Sequence, residues 1–270
     1  MYRVKLVNFK NTTKYFNFRS LSNLNNEPKI RESVVDICAL NYDDLFSPSS
    51  ISAISKRLSI SSSQRPAFRF KYDKTQIVSE ASVLMLLCSV DKVPSVLFTV
   101  RTKNLSSHPG EISFPGGKRD ESDDTLLATC LRETYEEIGI PSDLIHILGQ
   151  YSPLPNWKGN LKVYPYVGII LKELNHCGNE LKIHTESVKG EENLLDLKLN
   201  KDEVDNYFTI PINDLLKKES IETWDSPRGS PNKVPRYRTP EYIDGTIWGL
   251  TGFILHGVLE ICFKERYLKS

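Results

Sequence analysis

The chain has 270 residues, with 35 Lys and Arg against 34 Asp and Glu and a formal net charge of +1. That length fits one globular domain with appendages, and the even charge balance excludes a chain built mainly to grip a nucleic acid polymer. Five cysteines, scattered and odd in number with no CxxC pair, argue against a disulfide framework and a zinc site and for a reducing compartment.

Residues 1–26 carry Arg3, Lys5, Lys10, Lys14 and Arg19, with no acid before Glu27, among Ser, Thr, Asn and aromatics. This is the composition of a mitochondrial transit peptide, and equally of a flexible basic terminus. The ending Tyr267-Leu268-Lys269-Ser270 is not the SKL-type peroxisomal address; a peroxisomal or cytosolic location is the alternative. Residues 27–76 read as an N-terminal extension. Within it, Ile51, Ile54 and Leu58 at helical spacing predict a short helix over 47–59, and a linker follows over 61–66.

The main domain is expected over 77–270. Residues 83–88 form a continuous apolar run, a buried strand; 91–94 turn, 96–100 return as a second strand, and 111–114 form a short third strand. That strand leads into a turn at Gly116-Gly117. Four acidic residues, Asp120, Glu121, Asp123 and Asp124, follow, and then a helix. Leu127, Cys130, Leu131, Thr134 and Ile138 recur at spacings of three and four and share one face. Asp123, Asp124 or Thr125 caps its start, and Gly139 and Pro141 end it. The opposite face gathers Glu133, Glu136 and Glu137, neighbours on a helix that advances about 100° per residue. Such a cluster is either a solvated acidic face with Arg132 as partial neutraliser, or a set of oxygen ligands whose repulsion a hard divalent cation relieves.

Beyond the helix, residues 145–151 and 163–171 read as strands around a rigid, proline-rich loop at 152–157. Residues 172–201 are charged and read as a long surface insertion. A strand at 208–210, a short helix at 212–217 behind Pro211, and a loop or loose hairpin over 221–244 come next. The chain closes with a helix over 248–263, too interrupted by Gly249, Gly252, His256, Gly257 and Glu260 to span a membrane. Strands on both sides of one helix, with a terminal helix, predict an α/β fold with a mixed sheet between helices.

The string Arg132-Glu133-Thr134-Tyr135-Glu136-Glu137-Ile138-Gly139-Ile140, preceded by Gly116-Gly117 and Asp124, resembles the Nudix box: a glycine, an acid, then RE-aliphatic-x-EE-x-G-aliphatic. Asp124 stands where the family has Glu, Thr134 where it has an aliphatic, and Gly117 lies one residue further from Arg132 than usual. The resemblance, covering roughly 83–263, implies an α/β/α sandwich and a diphosphate hydrolase dependent on Mg²⁺ or Mn²⁺. It implies metal held by Glu133, Glu136 and Glu137, with Glu133, Glu136 and Arg132 as the catalytic set and Arg132 orienting the glutamates. The general base is Glu133 or a downstream acid such as Glu203. Gly116 and Gly117 are expected to bring backbone close to phosphate.

Upstream, Leu97-Phe98-Thr99-Val100-Arg101-Thr102, then Ser106, Gly110 and Phe114-Pro115-Gly116-Gly117, resemble the signature of the coenzyme A diphosphatase branch of that family. Ser106 replaces its second arginine; Lys103 and His108 are near enough in sequence to substitute. The branch implies coenzyme A or an acyl-CoA as the small-molecule partner, not a nucleic acid polymer or a membrane, with a homodimer left open. Other nucleoside diphosphate derivatives, oxidised dNTPs among them, and a non-catalytic nucleotide-binding module are the alternatives. Arg101 suits a bidentate grip on phosphate, and Trp157 or Trp224 could stack on adenine.

Overall fold

The computed structural model describes residues 5–7, 13–15, 45–64, 78–156, 160–174, 194–224 and 234–263. Near the start, β1 (Lys5–Val7) pairs antiparallel with β2 (Thr13–Tyr15). The main sheet begins with β3 (Ser79–Val90) and β4 (Val93–Arg101), an antiparallel hairpin closed at Asp91 and Lys92, both at positive φ. Two short strands follow, β5 (Ile112–Ser113) on β4 and β6 (Gly116–Lys118) on β3. Then come α2 (Leu126–Ile138), β7 (Ile145–Gln150), β8 (Leu154–Pro155) and β9 (Leu161–Leu174), with α1 (Pro48–Gln64) preceding them all. The sheet is completed by β10 (Leu194–Leu195) and β11 (Val204–Pro211), in the order β10-β9-β3-β4-β11. It is mixed: β9 runs parallel to β3 and β10, while β4 is antiparallel to both β3 and β11.

The apolar run on β3 is continuous because both of its faces are covered. Leu84, Leu86 and Cys88 point to one side, where Leu97, Cys130, Ile138 and Ile140 enclose them under α2. Met85 and Leu87 point to the other, where they meet Val96, Phe98 and Phe208 and the helices α1 and α4 (Gly249–Phe263). Phe98 stacks between Phe114 and Phe208 at ring separations of 5.3 Å. The α/β/α sandwich with a mixed sheet is therefore present.

Several local expectations are corrected. The 61–66 linker does not begin where expected, because α1 runs on to Gln64. Nor is that helix an appendage. Leu45, Ile54 and Leu58 are buried in the core, and Arg57 donates to the carbonyl of Cys262 at 2.8 Å, at the end of α4. Gly116 and Gly117 lie in a strand rather than a turn, paired with Val83 and Ser82. The 152–157 loop contains β8, and Trp157 lies outside the described residues. Much of the 172–201 insertion also lies outside them, but its described ends are ordered parts of the fold. β9 extends to Leu174, and Leu195, Leu197 and Leu199 pack against the α2 side of the sheet. Their alternation with polar residues was the overlooked signal. For 221–244 the hairpin alternative holds: β12 (Ile221–Trp224) pairs antiparallel with β13 (Val234–Arg238), and β14 (Thr246–Ile247) joins them in a three-stranded antiparallel sheet. Between β11 and β12 lies the short helix α3 (Ile212–Leu215). Among the described residues no helix is long and apolar enough to cross a membrane.

Leu58 is fully buried and its side chain lies against Gly149 of β7, where even a Cβ would be crowded at 3.1 Å. Leu58→Ala is expected to cost about 2–5 kcal/mol of unfolding free energy, read from urea denaturation. A negligible loss would show that α1 does not belong to the cooperative core.

Candidate functional site

The site is built around α2. Thr125 Oγ1 accepts from the Ala128 N–H at 3.0 Å at its start, and Gly139, at φ 75°, closes its end by donating to Tyr135 O. Of the three candidate caps, Thr125 serves. Cys130, Thr134 and Ile138 are buried against the sheet, which turns Glu133 and Glu137 toward the β4 and β6 strand ends. Glu137 is 2% exposed. Its Oε2 accepts from the Gly116 N–H at 3.2 Å, and its Oε1 lies 3.7 Å from the Arg101 guanidinium. Burial pushes its carboxyl up to about 8; the Gly116 N–H and Arg101 pull the other way without prevailing. Burial also raises Glu133, against the pull of Arg132.

Both glycines have a definite neighbour. A Cβ on Gly116, at φ 148°, would run into the Ser82 carbonyl across the strand pair. A Cβ on Gly117 would occupy the space of the Glu133 carboxylate. In this structure these glycines make room for β3 and for Glu133.

The third carboxylate comes from far along the chain. The last carbonyls of α2 lack partners within the helix. Lys198 and Asn200 supply them, donating to Ile138 O at 3.1 Å and Glu137 O at 3.0 Å. The chain then turns at Asn200, and the Thr102 N–H donates to the Glu203 carbonyl at 2.9 Å, starting the β11–β4 pairing. This brings Glu203 in beside α2. Carboxylate oxygens of Glu133, Glu137 and Glu203 all lie within 4.8 Å of one another.

Glu136 is not in that group. Its side chain is 47% exposed and takes the Arg132 NH1 at 2.8 Å. Arg132 is engaged on all sides. Its Nε and NH2 donate to the two oxygens of Asp123, each at 3.0 Å, and NH2 also lies 3.1 Å from Glu133. Asp123 is 4% exposed on its side chain, and the Arg132 pairing holds its carboxyl well below the ordinary range, assisted by the Asp120 N–H. Asp124, one residue on, is exposed. The acid that meets Arg132 is thus Asp123, which the sequence comparison had passed over by one position.

Arg101 ends β4 with its side chain 23% exposed. Ser106, Lys103 and His108 are exposed on the loop beyond it, and His108, at φ 56°, pairs with Glu111 at 2.9 Å. The side chains of Trp157 and Trp224 lie outside the described residues.

Comparison with known proteins identifies relatives of the chain. A protein-family model described as the NUDIX domain matches residues 79–228. Nudix hydrolase 3 of Caenorhabditis elegans is 32% identical over 249 residues, covering 88% of this chain and 93% of that protein. The Nudix hydrolase NudL of Yersinia enterocolitica, described as uncharacterized, is 33% identical over 175 residues, covering 65% of this chain and 76% of its own. Among solved structures, a binary complex of a C. elegans Ap4A hydrolase aligns at 17% identity with a TM-score of 0.35, over 52% of this chain and 84% of that one.

In the metal-free chain Glu137 holds its proton up to about pH 8, against 4.5 for an ordinary glutamate. The folded state therefore binds that proton more tightly than the unfolded state. The stability it contributes is fully present below about pH 4.5 and is lost as pH rises through about 8. In EDTA, the wild-type unfolding free energy is expected to fall across that window, and Glu137→Gln is expected to flatten the fall. Parallel pH profiles for the two proteins would show that the carboxyl is not desolvated.

Proposed function

The chain belongs to the Nudix family of hydrolases, and from that premise we propose that it hydrolyses the pyrophosphate bond of coenzyme A or an acyl-CoA. The products are 3′,5′-ADP and (acyl-)4′-phosphopantetheine. The observation that carries the reading is the meeting of Arg101, from the upstream signature, with Glu137, from the acidic helix, at 3.7 Å. Two motifs separated in sequence converge on one site, and Gly110 and the Phe114-Pro115-Gly116-Gly117 run complete the signature between them.

The donor set fits a hard divalent cation. It consists of carboxylate oxygens alone, which suits Mg²⁺ or Mn²⁺. One oxygen from each of the three carboxylates lies within 4.8 Å of the others, close enough for the three to converge on a shared cation. A buried carboxyl raised to about 8 is also a group that a cation would relieve. Glu133, Glu137 and Glu203 would hold the ion, and Glu136 supports them through Arg132. When bound, the ion cancels charge on the diphosphate and lowers the pKa of its water.

The remaining work falls to the chain. Arg101 grips a phosphate oxygen as it releases Glu137. Arg132, locked by Asp123, keeps Glu133 in place. Glu133 or Glu203, whichever carboxylate is left with a free oxygen, accepts the proton of the attacking water. The water oxygen bonds to phosphorus, the bridging P–O bond breaks, and the departing phosphate takes the electron pair.

Ser106 favours a second reading, hydrolysis of another nucleoside diphosphate derivative. It is exposed where the branch has arginine, and His108 is engaged with Glu111. With Mg²⁺ or Mn²⁺, kcat/KM is expected to be highest on coenzyme A or acyl-CoA among a panel including NADH, ADP-ribose and 8-oxo-dGTP. A strong preference for 8-oxo-dGTP would end the coenzyme A reading. Glu137→Gln is expected to lower kcat about a hundredfold or more; unchanged turnover would remove Glu137 from the site. We also propose a mitochondrial location, on the basic, acid-free residues 1–26. A fluorescent protein carrying those residues is expected to enter mitochondria, and a diffuse cytosolic signal would overturn the assignment.

A further inference from the structure

We propose that Asn200 is the positioning residue that sets Glu203 against Glu137 and so completes the divalent-ion site. The inference rests on the hydrolase reading for the presence of an ion and not on the identity of the substrate.

Glu137 and Glu203 belong to different elements, and one residue is bonded to the backbone of both. The Asn200 N–H donates to Glu137 O at 3.0 Å, on the last turn of α2. The Asn200 carbonyl accepts the Glu203 N–H at 3.1 Å and the Val204 N–H at 2.8 Å. Its side chain adds a further brace. Asn200 Oδ1 accepts the Asp202 N–H at 3.2 Å, an Asx turn in which the side chain imitates a backbone turn. The turn reverses the chain within three residues, so that Glu203 faces the helix it has just capped. Asn200 is half-buried, and Asp202 is exposed.

The division of labour between backbone and side chain makes the inference separable from folding. Lys198 remains bonded to Ile138 O, and Glu203 O remains bonded to Thr102, whatever side chain stands at 200. Removing Oδ1 leaves these backbone bonds and the strand β11 in place and loosens the turn by losing the side-chain brace on the Asp202 N–H. The carboxylate of Glu203 then samples positions away from Glu133 and Glu137, and the ion loses a preorganised ligand. Asn200 itself need touch neither ion nor substrate. Groups that orient metal ligands in this way typically govern affinity by about 10–100-fold.

The test is Mn²⁺ binding to the full-length chain, followed by electron paramagnetic resonance of the free ion, with thermal unfolding recorded alongside. Asn200→Ala is expected to weaken Mn²⁺ binding about tenfold or more, while Asn200→Asp, which keeps an acceptor for the Asp202 N–H, binds Mn²⁺ as the wild type does. Equal affinity in Asn200→Ala and wild type, with or without a change in melting temperature, overturns the inference and leaves the hydrolase reading standing. Equal weakening in the Ala and Asp variants also overturns it, because the acceptor would then be irrelevant. A wild-type chain that binds no Mn²⁺ overturns both.

Discussion

A carboxylate that is 2% exposed, on Glu137, is the constraint around which the rest of the site is arranged. Leaving such a group charged and unpaired in a protein interior is costly. Here the compensation is incomplete: one backbone N–H from Gly116 and one guanidinium at 3.7 Å from Arg101. The result is a carboxyl poised near neutrality rather than fully ionised. Poised groups of this kind are typical of sites that gain a partner during function. Every neighbouring element is shaped to admit the carboxylate. β6 brings the Gly116 N–H to it, α2 presents it, and β4 delivers Arg101 at its end.

A second ion pair governs the other side of the helix. Asp123 and Arg132 meet through two bonds of 3.0 Å, with the carboxylate almost sealed from water. Paired and hydrogen-bonded in this way, the guanidinium has one orientation. From it Arg132 reaches Glu133 and Glu136 together. The acidic helix therefore tolerates its own charge density because one arginine, fixed from outside the helix, is divided among its acids. Gly117 completes the arrangement by leaving room for Glu133 where any side chain would displace it.

These local devices depend on the layered fold beneath them. The sheet is packed on both faces, with α2 on one and α1 and α4 on the other. The continuity of this core is what allows short strands such as β5 and β6 to hold the neighbours of α2 in register. The helix α1 contributes to this from outside the matched family region, through Leu58 and through Arg57 at the end of α4.

The sequence by itself determined whatever follows from local periodicity. The apolar face of α2, its end at Gly139, the buried run of β3 and the placing of Glu133 and Glu137 on one helix face were legible, because 3.6-residue and two-residue repeats report directly on which side chains share a surface. The sequence also placed Arg101 and the glycines near the acids by motif spacing. What only the tertiary structure decided concerns residues that meet across elements. Glu203, rather than Glu136, stands with Glu133 and Glu137, since a carbonyl at the end of α2 is capped by a segment over sixty residues away. Asp123, rather than Asp124, meets Arg132, since a one-residue shift in a loop has no periodicity to reveal it. Gly116 lies in a strand against Val83, with its N–H on Glu137 and its missing side chain leaving room for the Ser82 carbonyl, all neighbours distant in sequence. Local spacing specifies faces, and only packing specifies which faces meet.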